Sequence, residues 1–201
     1  AAVGWWQFVS STARTRGLLV NEWIDERRDI ERSTRAASRH LKMMYGMFQN
    51  WPLALAAYNS GEYRIQRAIG LQGDPDYWEL RLPRETREYV PKFIAAARIA
   101  ADPAAYGFET CDVASVGYDV IPVDDATDLG LIARCAGVEE HRVRALNPAL
   151  LRGASPPDSP GYPVRIPEGT LKRCRRELKR IPAEDRLTWR RHRVQRGETL
   201  G

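Results

Sequence analysis

The sequence has 201 residues, with 31 Lys and Arg against 26 Asp and Glu and 43% apolar residues, proportions that allow one large domain or two small ones with a buried core. No apolar run approaches the ~18 residues that cross a bilayer, and Ala1-Ala2-Val3-Gly4-Trp5-Trp6 has no basic stretch leading into an apolar one, so neither a membrane helix nor an export signal is read here. The net charge of +5 is uneven, +2 over residues 1–110, −4 over 111–168 and +7 over 171–201. Arg190-Arg191-His192-Arg193 beside Trp189 is therefore read first as a solvated basic face, with an anionic polymer as the functional alternative.

Residues 1–108 read as helices with short connections. Asp29 is a candidate N-cap, and Ile30, Ala37, Leu41, Met44, Tyr45 and Phe48 form one face of a helix of about five turns. Pro52 suits a first helical turn, and Leu53-Ala54-Leu55-Ala56-Ala57-Tyr58 is apolar nearly all round, which predicts a short, central, buried helix broken by Gly61. A second short helix runs from Tyr63 to Ile69, with Gly70 expected as its left-handed cap. Pro83 opens another, whose buried stripe is Tyr89, Val90, Phe93, Ile94, Ala97 and Ala100; Pro91 bends it or marks a fresh start, and Asp102-Pro103 closes it.

From Cys111 the pattern changes. Val116, Tyr118 and Val120 alternate as a strand does, Asp125 to Ala136 is amphipathic and stops at Gly137, and a further helix runs from Glu139 to Leu146 and ends at Asn147-Pro148. After the loop 153–160, Tyr162, Val164 and Ile166 alternate again. The order is strand, helix, helix, strand. Thr170 to Ile181 reads as a charged linker helix, followed by a basic strand around Trp189 to Val194. The expected fold is mainly α, a helical domain over 1–108, a small β-α-α-β module over 109–168, and a linker with the start of another module over 169–201.

Cys111, Cys135 and Cys174 are odd in number, have no C-x-x-C pair, and allow at most one disulfide; buried thiols are the simpler reading. His40, His141 and His192 are scattered, so neither a metal centre nor a cofactor is expected.

Three segments carry chemistry. Gly4-Trp5-Trp6-Gln7 offers flat apolar faces for pyranose rings and an amide for hydroxyl or acetamido groups; packed core aromatics are the plain alternative. Ala57-Tyr58-Asn59-Ser60-Gly61-Glu62 ends an apolar helix in hydrogen-bonding side chains beside a glycine that lets a ligand approach the backbone. In Leu82-Pro83-Arg84-Glu85-Thr86-Arg87-Glu88-Tyr89-Val90, Glu85 and Tyr89 lie four apart and share a helix face.

Taken together and in this order, the three segments resemble the lysozyme-like lytic transglycosylases, and within them the membrane-bound type D enzymes. Gly4-Trp5-Trp6-Gln7 stands for that family's Gly-Leu-Met-Gln-like motif, Ala57-Tyr58-Asn59-Ser60-Gly61 for Ala-Tyr-Asn-Ala/Ser-Gly, and Glu85-Thr86-x-x-Tyr89-Val90 for Glu-Thr-x-x-Tyr-Val. The resemblance implies that one Glu protonates the oxygen between N-acetylmuramic acid and N-acetylglucosamine in peptidoglycan, and then takes the proton from the muramic sugar's own hydroxyl as it closes on the anomeric carbon, without water. That acid is kept protonated by an apolar pocket. In the family it lies in a Glu-Ser pair shortly before the Gly-x-x-Gln motif. Only three residues precede Gly4, so the resemblance places the acid before Ala1 and implies that these 201 residues are an inactive piece, cut at both ends, of an enzyme.

By the same resemblance Gln7, Tyr58, Asn59, Glu85 and Tyr89 line the glycan site. Peptidoglycan strands are the expected partner rather than nucleic acid, in the bacterial cell envelope, with any membrane attachment through an anchor outside this chain. Residues 111–168 resemble a divergent LysM module, which holds N-acetylglucosamine-containing glycans, through Ala145-Leu146-Asn147-Pro148 and Val164-Arg165-Ile166-Pro167; its first strand departs from the pattern, and a structural spacer is the alternative. His192 to Leu200 fits the opening of an ordinary LysM repeat. A goose-type lysozyme hydrolase and a glycan-binding pseudo-enzyme remain the other functional readings.

Overall fold

The computed structural model describes residues 1–73, 75–109, 116–157 and 159–187. Cys111, the basic strand around Trp189 and the LysM-like opening from His192 lie outside them. The chain divides into two compact units, residues 1–33 with 115–201 and residues 34–114.

The second unit is helical. Helices α2 (Ile30–Phe48, whose first four residues belong to the other unit), α3 (Trp51–Ser60) and α4 (Glu62–Gln72) follow one another with short turns, and residues 73–83 separate α4 from α5 (Arg84–Ala101). Helix α3 is central because it is apolar on every side: Leu53 to Ala57 are all buried, packed with Met44 of α2, Ile65 of α4, Val90 of α5 and Tyr77, Leu80 and Leu82 of the intervening loop. Its start is set by Asn50, whose side-chain oxygen accepts from the Leu53 N–H at 3.0 Å with Pro52 in the first turn. Its end is set by Gly61, at φ +90°.

Helix α4 does not stop at Gly70 but continues to a left-handed Gly73. The extra turn is held from outside, since the Arg81 N–H donates to the Gln72 side chain at 2.9 Å. Pro91 starts no new helix: α5 passes through it unbroken. The loop before α5 is pinned by the buried Tyr77, whose hydroxyl donates to the Thr86 and Arg87 carbonyls at 3.2 and 3.3 Å.

The first unit joins the N-terminal 33 residues to the β-α-α-β module. Strands β1 (Tyr118–Val123) and β2 (Tyr162–Pro167) pair antiparallel, with Ile121 opposite Val164. Helices α6 (Leu129–Ala136) and α7 (Glu140–Leu146) lie between them in sequence, and α8 (Leu171–Leu178) follows. The inward face of β1 is Ile121 and Val123, while Val116 and Val120 are exposed. The expected alternation was thus one residue out of step, and period two makes a one-residue slip exchange the faces. Helix α6 starts at Leu129 rather than Asp125, because residues 125–128 are held by side-chain bonds: Ser155 Oγ accepts from the Thr127 N–H, and Asp128 caps the Gly130 N–H. The helix read as a charged linker, α8, buries Cys174 and Leu178 in the same core. Cys135 and Cys174 are both free thiols, and burial with Cys135 nearby pushes Cys174 up to about 12.

Asn147 ties α7 to β2. Its amide donates to the Val143 and Arg165 carbonyls at 2.8 and 2.7 Å, and its oxygen accepts from the Arg165 N–H at 2.9 Å.

The N-terminal residues enter this core through Ile24, which bridges to Leu150. Beside it sits a run of buried charge. Arg27 makes a bidentate pair with Asp25, both bonds 2.8 Å, and its remaining nitrogen donates to the Ala1 and Phe8 carbonyls at 3.0 Å. Glu26 accepts from the Leu19 N–H and from Arg32. Asp29 caps the first turn of α2 through the Arg32 N–H at 2.9 Å and pairs with Arg165 at 2.9 Å. Helix α1 (Ser10–Thr15) is short and starts without a side-chain cap.

Two stability predictions follow from named contacts. Asn147→Ala strands the Arg165 N–H and two carbonyls, and should cost about 2–4 kcal/mol, read as a lower urea midpoint at unchanged slope. Burial tends to raise the Asp25 carboxyl, but the Arg27 guanidinium outweighs it and holds the group below its ordinary 3.8. A lowered folded-state value means that this stabilisation is complete above the unfolded value and is lost as pH falls through the folded one. Asp25→Asn should therefore lower stability at neutral pH by about 3–5 kcal/mol and flatten its decline below about pH 4, checked by denaturant melts from pH 7 to pH 2.5.

Candidate functional site

In the second unit the ends of two helices meet. Tyr58 and Asn59 close the apolar helix α3, and Glu85 and Tyr89 occupy the first turns of α5. The Asn59 amide donates to Glu85 Oε1 at 3.3 Å, across 26 residues of sequence. Burial raises the Tyr58 phenol well above its ordinary value, and the nearby Tyr89 adds to the shift; burial alone raises Tyr89. Both rings thus stay protonated over the neutral range and can donate a hydrogen bond from a largely apolar wall.

The wall continues on either side. Tyr58 lies against the buried His40 with ring centroids 5.3 Å apart, and Tyr89 against Phe93 at 6.1 Å. Ser60 is occupied by its own helix, donating to the Ala56 carbonyl at 2.9 Å. A Cβ at Gly61 would meet nothing within 4 Å, so its positive φ requires the glycine and the space beside the α3 terminus is open. Glu62 starts α4 next to it. Four of the five residues expected to hold ligand thus come from one unit, and Asn59 and Glu85 are in direct contact. The arrangement offers an oriented carboxylate, an amide and two phenols around an open helix end, a set suited to hydroxyl and acetamido groups.

Gln7, the fifth, lies in the first unit and is exposed. It has a left-handed backbone at φ +51°, and its amide donates back to the Gly4 carbonyl at 2.6 Å. Gly4 itself has φ +78°, and a Cβ there would lie 1.9 Å from the Arg27 carbonyl oxygen. The turn 4–7, closed by the Val3–Phe8 bridge, is therefore pressed onto the buried Arg27 segment and leaves Trp5 largely in solvent. Sequence reading missed the buried run Asp25 to Asp29 as a support for this turn. The available signal was five charges in five residues, three acidic and two basic, flanked by Ile24 and Ile30.

Gly4→Ala should destabilise the first unit by more than about 2 kcal/mol, whereas Gly17→Ala, at φ +81° with open space around it, should cost about 1 kcal/mol; urea melts of the two variants compare crowding with backbone strain alone.

Among the described residues no three His, Cys, Asp or Glu side chains form a group that could hold a metal ion, and no helix is long and apolar enough to cross a membrane.

Residues 1–81 match the family model of the transglycosylase SLT domain, and residues 117–183 that of the LysM-like domain of the lytic transglycosylase MltD. The membrane-bound lytic murein transglycosylase D of Escherichia coli (strain K12) is 32% identical over 184 residues, which cover 88% of this chain and 40% of that protein. The protein of the same name from Escherichia coli O6:H1 aligns equally. A putative tributyltin chloride resistance protein of Alteromonas sp. (strain M-1) is 38% identical over 69 residues, 34% of this chain and 33% of its own length. The chain spans about two fifths of the E. coli relatives it matches. Residues 1–81 are thus similar to transglycosylase SLT domains and residues 117–183 to the LysM-like domain of the lytic transglycosylase MltD, and the E. coli lytic murein transglycosylase D aligns along 88% of this chain.

Proposed function

We propose that the chain is the glycan-holding part of a peptidoglycan lytic transglycosylase of the bacterial cell envelope, an enzyme that cleaves between N-acetylmuramic acid and N-acetylglucosamine without water and leaves anhydromuramoyl ends. The observation that carries this reading is the Asn59–Glu85 hydrogen bond beside Tyr58 and Tyr89, which brings the Tyr-Asn and Glu-Thr motifs, 26 residues apart, onto one surface.

The roles follow from the chemistry of each group. Asn59 holds Glu85 as an acceptor pointed at sugar hydroxyls. The phenols of Tyr58 and Tyr89 donate to the strand while their ring faces exclude water from it. Gln7 contacts glycan on the strength of its motif. The oriented groups supply binding and positioning, which lower a barrier when the bound strand is held close to its reacting geometry. The proton donor is not assigned to any carboxylate of residues 1–201.

The test uses the 201-residue chain with isolated sacculi. It should co-sediment with them, and Asn59→Ala or Glu85→Gln should weaken binding about tenfold, the loss of one hydrogen bond involving a charged group. Release of anhydromuramoyl ends would locate the acid among the chain's own carboxylates, reducing ends would make it a hydrolase, and binding indifferent to both substitutions would overturn the proposed site.

A further inference from the structure

The first unit contains a cavity of ≈ 600 Å³ lined by none of the five residues assigned to the glycan site. The N-terminal turn contributes Trp5, 80% exposed, and the β-α-α-β module contributes Leu146 and Pro148. Trp5 is the exposed aromatic of the Gly4-Trp5-Trp6-Gln7 motif whose aromatic character the sequence set apart. An indole left in solvent on a turn whose backbone is this tightly held is available as a stacking face rather than as a core residue.

The charged side of the cavity is sorted into used and unused groups. Arg165 pairs with Asp29 at 2.9 Å and Glu31 at 3.4 Å and lies over the Tyr118 ring, 4.9 Å from its centroid. The Tyr118 hydroxyl donates to Glu31 at 2.8 Å. These groups satisfy one another and form a wall. Arg28 and Arg142 remain at the rim. Arg28 is half exposed and only 3.7 Å from an Asp25 already held by Arg27. The Arg142 guanidinium has no partner among the described residues. The cavity thus presents one flat apolar face with cations available beside it, which complements a ring carrying carboxylates.

We propose that this cavity is a second binding site, for the peptide-bearing muramic unit of a wall strand: a sugar ring stacks on Trp5, and carboxylates of its stem peptide pair with Arg28 and Arg142. A neutral glycan would leave both cations idle. A nucleic-acid strand is the less favoured occupant, since the second aromatic of the cavity, Tyr118, is already covered by Arg165 and tied to Glu31, and the Glu31 carboxylate would face the phosphates. The choice of a wall glycan rests on the proposed function; the platform and the rim cations do not.

The experiment titrates the 201-residue chain with a soluble disaccharide tetrapeptide, the same compound with its stem carboxylates amidated, chitotetraose, and a single-stranded oligodeoxynucleotide. Trp5→Ala and Arg142→Ala are exposed truncations, checked for native circular dichroism. Each should weaken the tetrapeptide compound about tenfold. Arg142→Ala should also reduce the salt dependence, and the amidated compound should bind the unaltered chain about as weakly as the free acid binds Arg142→Ala. Tighter binding of the oligodeoxynucleotide, or equal binding of all compounds by the two variants, overturns the proposal. The two sites fail separately: insensitivity to Trp5→Ala and Arg142→Ala while Asn59→Ala still weakens sacculus binding removes only this cavity, and the reverse pattern removes only the helical site.

Discussion

The buried pair of Asp25 and Arg27 is the constraint from which the first unit is built. Taking two opposite charges out of water is costly, and the cost is offset only when the geometry is good and the remaining donors are satisfied. Here the guanidinium spends two nitrogens on the carboxylate and the third on the carbonyls of Ala1 and Phe8. Those two carbonyls flank the turn that carries Trp5, Trp6 and Gln7. The Asp25 N–H donates in turn to the Ala149 carbonyl, and the next charges along, Asp29 and Glu31, reach Arg165 on β2. A nine-residue stretch from Trp23 to Glu31 therefore fixes the N-terminal motif and the β-α-α-β module in one unit. Its charges specify geometry more than they add stability, since a buried ion pair gains little over a well-packed apolar one.

Helices were legible in the sequence to the extent that local chemistry marks them. Gly61, the left-handed Gly137 and Asn147-Pro148 are stop signals that act within a few residues, and α3, α6 and α7 ended where those signals stand. Tertiary bonds moved the rest. The Arg81–Gln72 bond carries α4 past Gly70, and the Thr127–Ser155 bond delays α6. The parity of β1 was misread because Val116, Val120, Ile121 and Val123 are apolar on both faces, so alternation alone could not say which pair meets Val164 and Ile166. The run Asp25 to Asp29 carried no burial signal because charge ordinarily is surface; its partners at Ala1, Phe8 and Leu19, and at Ala149 and Arg165 more than 120 residues away, hold it in the core.

Of the helical site, the pairing of Glu85 with Tyr89 on one face was readable from spacing. Its junction with Asn59 was not, since contact across 26 residues has no periodic signature, and that expectation came through the resemblance of the motifs. The contact itself supplies the physical content. An amide at the last turn of a buried helix has few neighbours of its own, and a carboxylate in the first turn of α5 is favoured by the helix dipole. Each position suits its residue locally, and together they make a polar rim on an apolar support.

The Leu146-Asn147-Pro148 segment shows how a motif can mark a fold without marking a ligand. Every hydrogen-bonding direction of the Asn147 amide that the structure uses goes to Val143 or to both backbone groups of Arg165. Arg165 is thereby held at the position from which its guanidinium meets Asp29, Glu31 and Tyr118. Asn147 thus works through the backbone that positions a charged wall, and its own polar atoms are spent. Whatever ring this unit recognises must be met by groups that remain unspent, and these lie at the edges of the module and on the N-terminal turn rather than in the sequence pattern that defines the module.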